Sequence, residues 1–208
     1  MIPVTVVTGF LGSGKTSLVA NLLDNTMDRK IAVLVNEFAG TNIDAAYLHG
    51  GEHITRRGSE FIIDMAGGPL SPERVPSLTA ALAPLAEKDI EAVVIESSGA
   101  ATASFIAAAI ETDGGLSRMF LLDTVIAVVD GSAFLDYWRD SSLRPLLRDQ
   151  IQIADLIVVN KDDRIGMWRR WATIRRIRGV NGQATVGTNE VGRLPVDEVI
   201  NTGRAQKR

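Results

Sequence analysis

Residues 9–16 read GFLGSGKT, between an apolar stretch from Val4 to Thr8 and a helical pattern from Lys15 to Leu23. The order fits GxxxxGK[ST] with a strand before it and a helix after it, which is the context that the pattern requires. Backbone N–H groups of a glycine-rich loop and of a helix N-terminus together present donors and partial positive charge to polyphosphate. The stretch therefore predicts a phosphate-binding loop.

Each position of this loop has an expected role. We expect Lys15 to reach the β and γ phosphates, the Thr16 hydroxyl to ligate Mg²⁺, and Ser17 to support the α phosphate. Backbone contacts to the nucleotide are assigned to the other loop positions, which are Gly9, Gly12, Ser13 and Gly14.

Short apolar, β-branched runs alternate with helical patterns along the rest of the chain. The predicted strands are Val4 to Thr8, Ile31 to Val35, Phe61 to Ile63, Ala92 to Ile95, Thr124 to Val129 and Leu156 to Val159. The predicted helices are Lys15 to Leu23, Pro72 to Leu85, Ala101 to Ile110, Leu143 to Ala154 and Met167 to Ile177. Alternation of this kind implies right-handed βαβ crossovers. We predict an α/β fold of three layers, with a mostly parallel sheet covered by helices on both faces. Weak periodicity predicts a mobile loop from Phe38 to Gly58.

Acidic residues end two of the predicted strands. Glu96 follows Val93 to Ile95, at the sheet edge where ligands bind in open α/β folds. It is a candidate Mg²⁺ carboxylate, although a solvated glutamate in a strand-ending turn fits the same pattern. The Gly99 N–H is a candidate sensor of the γ phosphate. Glu37 is a candidate for orienting the attacking water or for approaching the metal, and an exposed loop carboxylate is an equal alternative. Asp44 is a weaker candidate.

The run NKDD at 160–163 follows the apolar run Leu156 to Val159 and matches NKxD. Guanine presents its N1–H and 2-amino donors side by side, and one carboxylate accepts both, so we assign that role to Asp163. Adenine would leave a buried carboxylate unpaired, which favours GTP over ATP. Lys161 is expected along the purine face, and Asn160 is expected to tie the base loop to the phosphate loop.

Composition narrows the remaining classes. The 208 residues carry a net charge of -3 and contain no cysteine, which excludes disulfides and thiolate metal sites. No general positive field attracts nucleic acid or an anionic membrane. Met1 leads directly into a strand pattern without a signal sequence, and no apolar run reaches membrane-spanning length, so we predict a cytoplasmic protein.

With these motifs in place, the sequence resembles the CobW-like GTPases, relatives of the urease and hydrogenase nickel-insertion GTPases. Segments that look like those of the family follow in order: IPVTVVTGFLGSGKTSLVANLL, IAVLVNEFAGTNID, VVIESSGAATAS, VIAVVDGSAF, QIQIADLIVVNKDD and RLPVDEVINTG. The resemblance implies GTP hydrolysis coupled to delivery of a transition metal such as Zn²⁺ or Co²⁺, with a client protein or metalloenzyme as partner.

Two departures from the family limit that implication. The family's cysteine motif follows the third strand, and here its cysteine positions read Pro69, Ser71 and Pro72, none of which replaces a thiolate. The family also has a further C-terminal domain, whereas we expect a GTPase domain at 1–203 and a short basic tail at 204–208.

Other polar clusters carry weaker expectations. His49 and His53 lie four residues apart, but Gly50 and Gly51 weaken any helix that would align them, so a solvated loop is favoured over a metal site. The arginine-rich helix after NKDD is expected to bury a stripe of Met167, Trp171 and Ile174 and to expose a solvated basic face; an RNA or acidic-partner surface is the alternative.

Three functions remain open. The first is a slow GTPase switch in metal-cofactor delivery or enzyme maturation, whose site a partner or a second copy of the chain would complete, since no arginine finger is assignable. The second is a nucleotide-dependent regulatory module that binds a protein and handles no metal. The third is a P-loop small-molecule kinase, which would prefer ATP and would leave NKDD without a role.

Overall fold

The computed structural model describes residues 1–25, 29–36, 54–57, 60–65, 68–188 and 194–207. The strands are β1 (Ile2–Thr8), β2 (Ile31–Val35), β3 (Ile54–Arg57), β4 (Glu60–Asp64), β5 (Ala92–Glu96), β6 (Phe120–Asp130), β7 (Leu156–Asn160) and β8 (Thr185–Thr188). The helices are α1 (Lys15–Asp24), α2 (Val75–Leu82), α3 (Ala103–Thr112), α4 (Leu116–Met119), α5 (Phe134–Arg139), α6 (Arg144–Gln152) and α7 (Met167–Val180). Short 3₁₀ turns cover Pro72–Arg74, Ala83–Glu87, Asp162–Arg164, Val196–Glu198 and Ala205–Lys207.

All the described strands form one sheet in the order β3-β4-β2-β5-β1-β6-β7-β8. Neighbours pair in parallel except β3, which runs antiparallel to β4 at one edge. The chain moves from β1 to one side of the sheet through β2 and later returns to the other side through β6. The loop after β1 therefore lies where the strand order reverses, which is where open α/β sheets bind ligands.

Alternate residues of the central strands pack on opposite faces of the sheet. On one face Val4, Val6 and Val93 lie against α2, α3 and α4, and Ala127 and Ile157 continue that face beneath α5, α6 and α7. On the other face, buried residues of several strands pack against α1 and the C-terminal segment: Val7, Val33, Val94, Val128 and Val158. The three-layer α/β prediction with a mostly parallel sheet is confirmed.

Each of the six predicted strands is present, and β2 and β5 are buried along their whole length. The predicted loop from Phe38 to Gly58 is wrong at Ile54–Arg57, which forms β3; residues 37–53 and 58–59 lie outside the described part. Strands β3 and β8 are four residues long and lie at the sheet edges, where backbone pairing forms a strand without a strong apolar pattern. The short helices α4 and α5 were also not predicted.

The predicted core-facing stripe of α7 is wrong for two of its three residues. Met167 is 87% exposed and Trp171 is 49% exposed, whereas Thr173 and Ile177 are fully buried. Because one helical turn separates Thr173 from Ile177, the contact strip of α7 is narrow, and the bulkier apolar residues lie on the outer face. Ile174 is partly buried at the margin between them.

The C-terminal segment packs back onto the sheet. Val199 and Ile200 are buried beside α1, and the Thr5 hydroxyl donates a hydrogen bond of 2.5 Å to the Val199 carbonyl. The Asp123 carboxylate accepts the N–H groups of Thr202 and Gly203 at 2.9 and 2.6 Å. These contacts fasten Thr202 and Gly203 to β6.

Among the helices in the described ranges, none is long and apolar enough to cross a membrane.

Candidate nucleotide site

The phosphate loop depends on glycines at three positions. Gly9, Gly12 and Gly14 adopt φ angles of 142°, 70° and 105°, which side chains disfavour. A Cβ on Gly9 would lie 2.1 Å from the Val128 carbonyl oxygen, and one on Gly14 would lie 2.4 Å from the Asn160 amide nitrogen. At Gly9 and Gly14 the loop therefore passes against β6 and the end of β7 with no room for a side chain, whereas at Gly12 only the positive φ angle favours glycine.

Lys15 and Thr16 begin α1 and face the ends of the strands. The Lys15 ammonium donates to the carbonyl oxygens of Gly9 at 2.8 Å and Phe10 at 3.2 Å, so its charge is held over the loop. The Thr16 hydroxyl donates to Glu96 at 2.6 Å. Glu96 is 4% exposed at the end of β5, which brings a hydroxyl oxygen and a carboxylate to one point of the cleft.

The segment after β5 lies directly against the phosphate loop. The Ser97 N–H donates to the Val7 carbonyl at 2.9 Å, and a Cβ on Gly99 would lie 2.7 Å from the Leu11 nitrogen. Behind it, the buried Gln150 of α6 donates from Nε2 to the carbonyls of Gly99 and Ala101, both at 3.3 Å. Gln150 was missed by sequence reasoning, because one buried amide on an amphipathic helix leaves no sequence signal.

Asn36 connects the end of β2 with the segment where the family's cysteine motif would lie. It is 1% exposed and donates from Nδ2 to the carbonyls of Met65 at 3.2 Å and Gly68 at 2.9 Å. Its Oδ1 accepts the Leu70 N–H at 3.1 Å. Glu37, the candidate for orienting water, lies outside the described residues.

The base motif is joined to the phosphate loop by two side chains. Asn160 donates from Nδ2 to the Ser13 carbonyl at 2.8 Å, and its Oδ1 accepts the Lys161 N–H at 2.9 Å. Lys161 adopts a left-handed φ of 58° and donates from Nζ to the Gly12 carbonyl at 2.7 Å. Phosphate loop and base loop thus form one connected unit.

Asp130, at the end of β6, holds Lys161 from the other side. Its Oδ2 lies 2.7 Å from the Lys161 Nζ, and its Oδ1 accepts the Ser132 N–H at 2.9 Å and the Ser132 hydroxyl at 2.5 Å. Burial raises the pKa of Asp130, but the hydrogen bonds from Lys161 and Ser132 and the Lys161 charge outweigh it, and the pKa lies below its ordinary value. Sequence reasoning missed Asp130, although it ends an apolar strand as Glu96 does.

The two aspartates of NKDD face different environments. Asp162 is 6% exposed and lies 3.3 Å from the Arg170 Nε of α7. Asp163, the residue assigned to guanine, is exposed in the 3₁₀ turn Asp162–Arg164 that follows Lys161. The side chain predicted to read the base is therefore accessible, while its neighbour anchors the loop to a helix.

These segments enclose a cleft of about 520 Å³ at the carboxyl edge of the sheet. Its walls are formed by Leu11, Gly12, Gly14, Lys15, Thr16, Ser17, Asn36, Glu96, Ser97, Ser98, Gly99, Asn160 and Lys161. Gly9 and Ser13 belong to the same loop but do not line this cleft. The buried hydroxyls of Ser13 and Ser97 have no hydrogen-bond partner among the described residues, so donors remain beside the loop.

The same edge fits Mg²⁺ better than a transition metal. A threonine hydroxyl and a glutamate carboxylate in contact are hard oxygen donors, which suit Mg²⁺. Within the described ranges, no three His, Cys, Asp or Glu side chains cluster in a way that could hold a metal. His49 and His53, with Asp44, lie outside those ranges.

The site has three parts: a glycine loop that begins a helix, the Thr16–Glu96 pair beside it, and Asn160 and Lys161, which bond to the loop. Together these parts define the class of P-loop nucleotide-binding proteins. Within that class the chain belongs to the CobW/HypB/UreG family, whose nucleotide-binding domain matches residues 3–188. The resemblance drawn from the sequence is confirmed.

Relatives of known name agree with this assignment. The chain is 31% identical over 232 residues to the zinc-regulated GTPase metalloprotein activator 1 of Dictyostelium discoideum, covering 97% of this chain and 48% of that protein. It is 33% identical over 191 residues to the zinc chaperone CobW of Pseudomonas aeruginosa, covering 79% and 50%. The chain thus spans about half the length of the curated relatives it matches.

A solved structure supports the same fold. The Zn(II)-bound YjiA GTPase of E. coli superimposes with a TM-score of 0.70 at 27% identity, over 98% of this chain and 62% of that one.

Proposed function

We propose that this chain binds GTP with Mg²⁺ and hydrolyses it to GDP and phosphate as a conformational switch. The observation that carries the proposal is the direct link between the two motifs: Asn160 bonds Ser13 at 2.8 Å and Lys161 bonds Gly12 at 2.7 Å. A base seated against Lys161 then fixes the position of the phosphates in the loop. The names of the relatives, a zinc-regulated GTPase among them, support the same activity.

Guanine is selected by Asp163 in this proposal. Its exposed carboxylate accepts the N1–H and the 2-amino N–H of the base, and adenine has no such pair of donors. Lys161, held by Asp130 and Gly12, presents its aliphatic stem to the ring.

Lys15 and the loop N–H groups bind the phosphates. The Lys15 ammonium leaves the Gly9 and Phe10 carbonyls for the β and γ phosphates, where its charge offsets that of the transition state. Thr16 and Glu96 would hold Mg²⁺, which neutralises phosphate charge when bound. The Gly99 N–H, pressed against Leu11, is the candidate contact to the γ phosphate.

Turnover is expected to be slow in the isolated chain. Water attacks the γ phosphorus, the β–γ bridging oxygen leaves with GDP, and the water proton goes to phosphate. No arginine lies among the described residues that line the cleft. Glu37 remains the proposed residue for orienting water, and a partner or second copy of the chain would supply the missing positive charge.

Metal-cofactor delivery or enzyme maturation is the proposed role of the switch, because relatives are named zinc chaperones and a metalloprotein activator. One observation favours a second candidate, a regulatory module that binds a protein and carries no metal. Ser71 donates to Glu73 at 2.6 Å, and prolines stand at the other two cysteine positions, 69 and 72.

A turnover and metal-binding experiment tests both roles. GTP hydrolysis is measured by phosphate release, and Zn²⁺ or Co²⁺ binding by equilibrium dialysis of metal-free protein with GTP or GDP. Stoichiometric, GTP-dependent metal binding supports delivery; hydrolysis without metal binding supports the regulatory module. No phosphate release from GTP would overturn the GTPase proposal.

A base-swap variant tests the guanine assignment. Asp163→Asn should lose GTP affinity and gain affinity for xanthosine triphosphate, because the Asn side-chain amide complements the changed base edge. If Asp163→Asn still prefers GTP to xanthosine triphosphate, Asp163 does not read the base.

A further inference from the structure

The outer face of α7 carries large apolar side chains that no described part of the chain covers. Met167 is 87% exposed, Trp168 is 73% exposed and Trp171 is 49% exposed. The two indole rings stack at 5.2 Å between centroids, and the Arg175 guanidinium lies 5.1 Å from the Trp171 ring. Two of the three tryptophans of the chain thus lie on one exposed helix face.

This face is also basic. We call it the Trp/Arg face, formed by Arg164, Met167, Trp168, Trp171, Arg175 and Arg178. Helix α7 contains no acidic residue. Arg169 and Arg170 pair with Asp136 and Asp162, whereas the three arginines of the face make no ion pair within the described ranges.

We propose that the Trp/Arg face is a docking surface for an acidic, amphipathic segment of a partner protein. Exposed tryptophan and arginine side by side are the residues that dominate binding energy at protein interfaces. The stacked rings offer apolar area that is already ordered, and the arginines offer bidentate donors to carboxylates. A helix of 14 residues is about 21 Å long, which matches one short helical segment in contact with it.

Charge separates this occupant from the two others that the face could take. A second copy packed symmetrically, α7 against α7, would set arginines against arginines, which repel. Single-stranded nucleic acid also stacks on aromatic rings, but its binding sites need a positively charged groove that follows the phosphate backbone. The Trp/Arg face is one exposed helix with three arginines on it or beside its first residue, and within the described part of the chain it offers no such groove.

Selection from a displayed library of random peptides, each about 16 residues long, tests the proposal. The full chain is the target, and the Trp168→Gln/Trp171→Gln variant serves for counter-selection. Since both positions are exposed, the variant should keep its fold, which thermal unfolding followed by circular dichroism checks. We expect the enriched peptides to place Asp and Glu between apolar residues at helical spacing.

The affinity of an enriched peptide is then measured by titration, with tryptophan fluorescence as the signal. Binding should weaken about tenfold or more in Arg175→Glu and should stay unchanged in Arg148→Glu. Because Arg175 lies beside Trp171, the affinity of Arg175→Glu is also measured with a labelled peptide, whose signal does not depend on tryptophan. Arg148 is also an exposed arginine, but it lies on α6 outside the Trp/Arg face, and it is therefore the matched control.

Three results would each overturn the proposal. The first is that selection yields only peptides without an acidic bias, or no peptide that the double variant fails to bind. The second is that Arg148→Glu loses as much binding as Arg175→Glu. The third is that an oligouridylate binds more tightly than the peptides. Sedimentation tests for self-association. If the wild type associates with itself and the double variant does not, the face binds a second copy of the chain, and the acidic partner is refuted.

Discussion

At the scale of single residues, the proposed base site depends on the contact between Asp130 and Lys161. Asp130→Asn keeps the shape but removes the charge that holds Lys161 at 2.7 Å. We expect GDP and GTP to bind roughly three- to tenfold more weakly, since the pair is only partly screened by solvent. Titration with a fluorescent guanine nucleotide measures this. Asp140→Asn is the control, because Asp140 is exposed and its carboxylate contacts its own turn, chiefly at Ser142. Equal affinities of wild type and Asp130→Asn would show that Asp130 does not support the nucleotide site.

The pH dependence of this contact has a defined sign. The folded-state pKa of Asp130 lies below its ordinary value of 3.8. The ion pair therefore stabilises the fold fully above that pH, and its contribution is lost as pH falls through the folded pKa. Urea unfolding should give equal differences between wild type and Asp130→Asn at about pH 6 and 8, and a smaller difference below about pH 4. A difference that grows on acidification would contradict the assignment.

Two glycines should respond to alanine with opposite signs. Gly9→Ala places a Cβ 2.1 Å from a carbonyl at a φ of 142°, and should lower the free energy of unfolding by about 2 to 4 kcal/mol. Gly179→Ala meets open space in α7 and should raise it by up to about 1 kcal/mol. Urea denaturation measures both, and a neutral Gly9→Ala would show that the loop has room to shift.

Residue types alone predicted the two motifs of this candidate site but not the side chains that support them. Gly9, Gly14, Lys15 and Thr16 were identified because a phosphate demands that spacing. Asp130 was not, since its partner Lys161 is 31 residues away and only the parallel pairing of β6 with β7 brings them together.

At the scale of elements, α6 supports the segment that follows β5. Gln150→Leu leaves the carbonyls of Gly99 and Ala101 without their donor, which should cost about 1 to 3 kcal/mol of stability. GTP turnover by the folded protein should also fall, because Gly99 is no longer held against the phosphate loop. Gln152→Leu, exposed on the same helix, is the control and should change neither quantity much. Unchanged turnover in Gln150→Leu would limit α6 to a structural role.

Helices and strands could be predicted where burial leaves a clear pattern of apolar residues in the sequence. Strands β2 and β5 are buried throughout and read as continuous apolar runs. The position of α7 in the sequence was predicted correctly, but its buried side was not. Met167, Trp171 and Ile174 recur with a helical period, and that period is the same for an exposed apolar face and for a core face. The packing of α7 on α5, α6 and the sheet decides which side is buried.

At the scale of the whole molecule, the C-terminal segment closes the face of the sheet beside α1. Removing residues 194–208 would expose the surfaces that Val199 and Ile200 bury, at a cost of about 3 to 6 kcal/mol. Removing only 207–208 should cost little. If the truncated chain fails to fold, Val199→Ala serves instead, and it should lower the free energy of unfolding by about 2 kcal/mol. Urea denaturation decides, and a truncated chain as stable as the full one would show that the segment only lies on the surface.

The central claim is that one cleft, joined across the sheet by Asn160 and Lys161, binds guanine nucleotides. Competition against labelled GDP tests it most directly. GTP should displace the label at a concentration at least about 100-fold lower than ATP, because adenine cannot satisfy Asp163. Displacement by ATP and GTP at similar concentrations would contradict the guanine assignment and return the small-molecule kinase to first place.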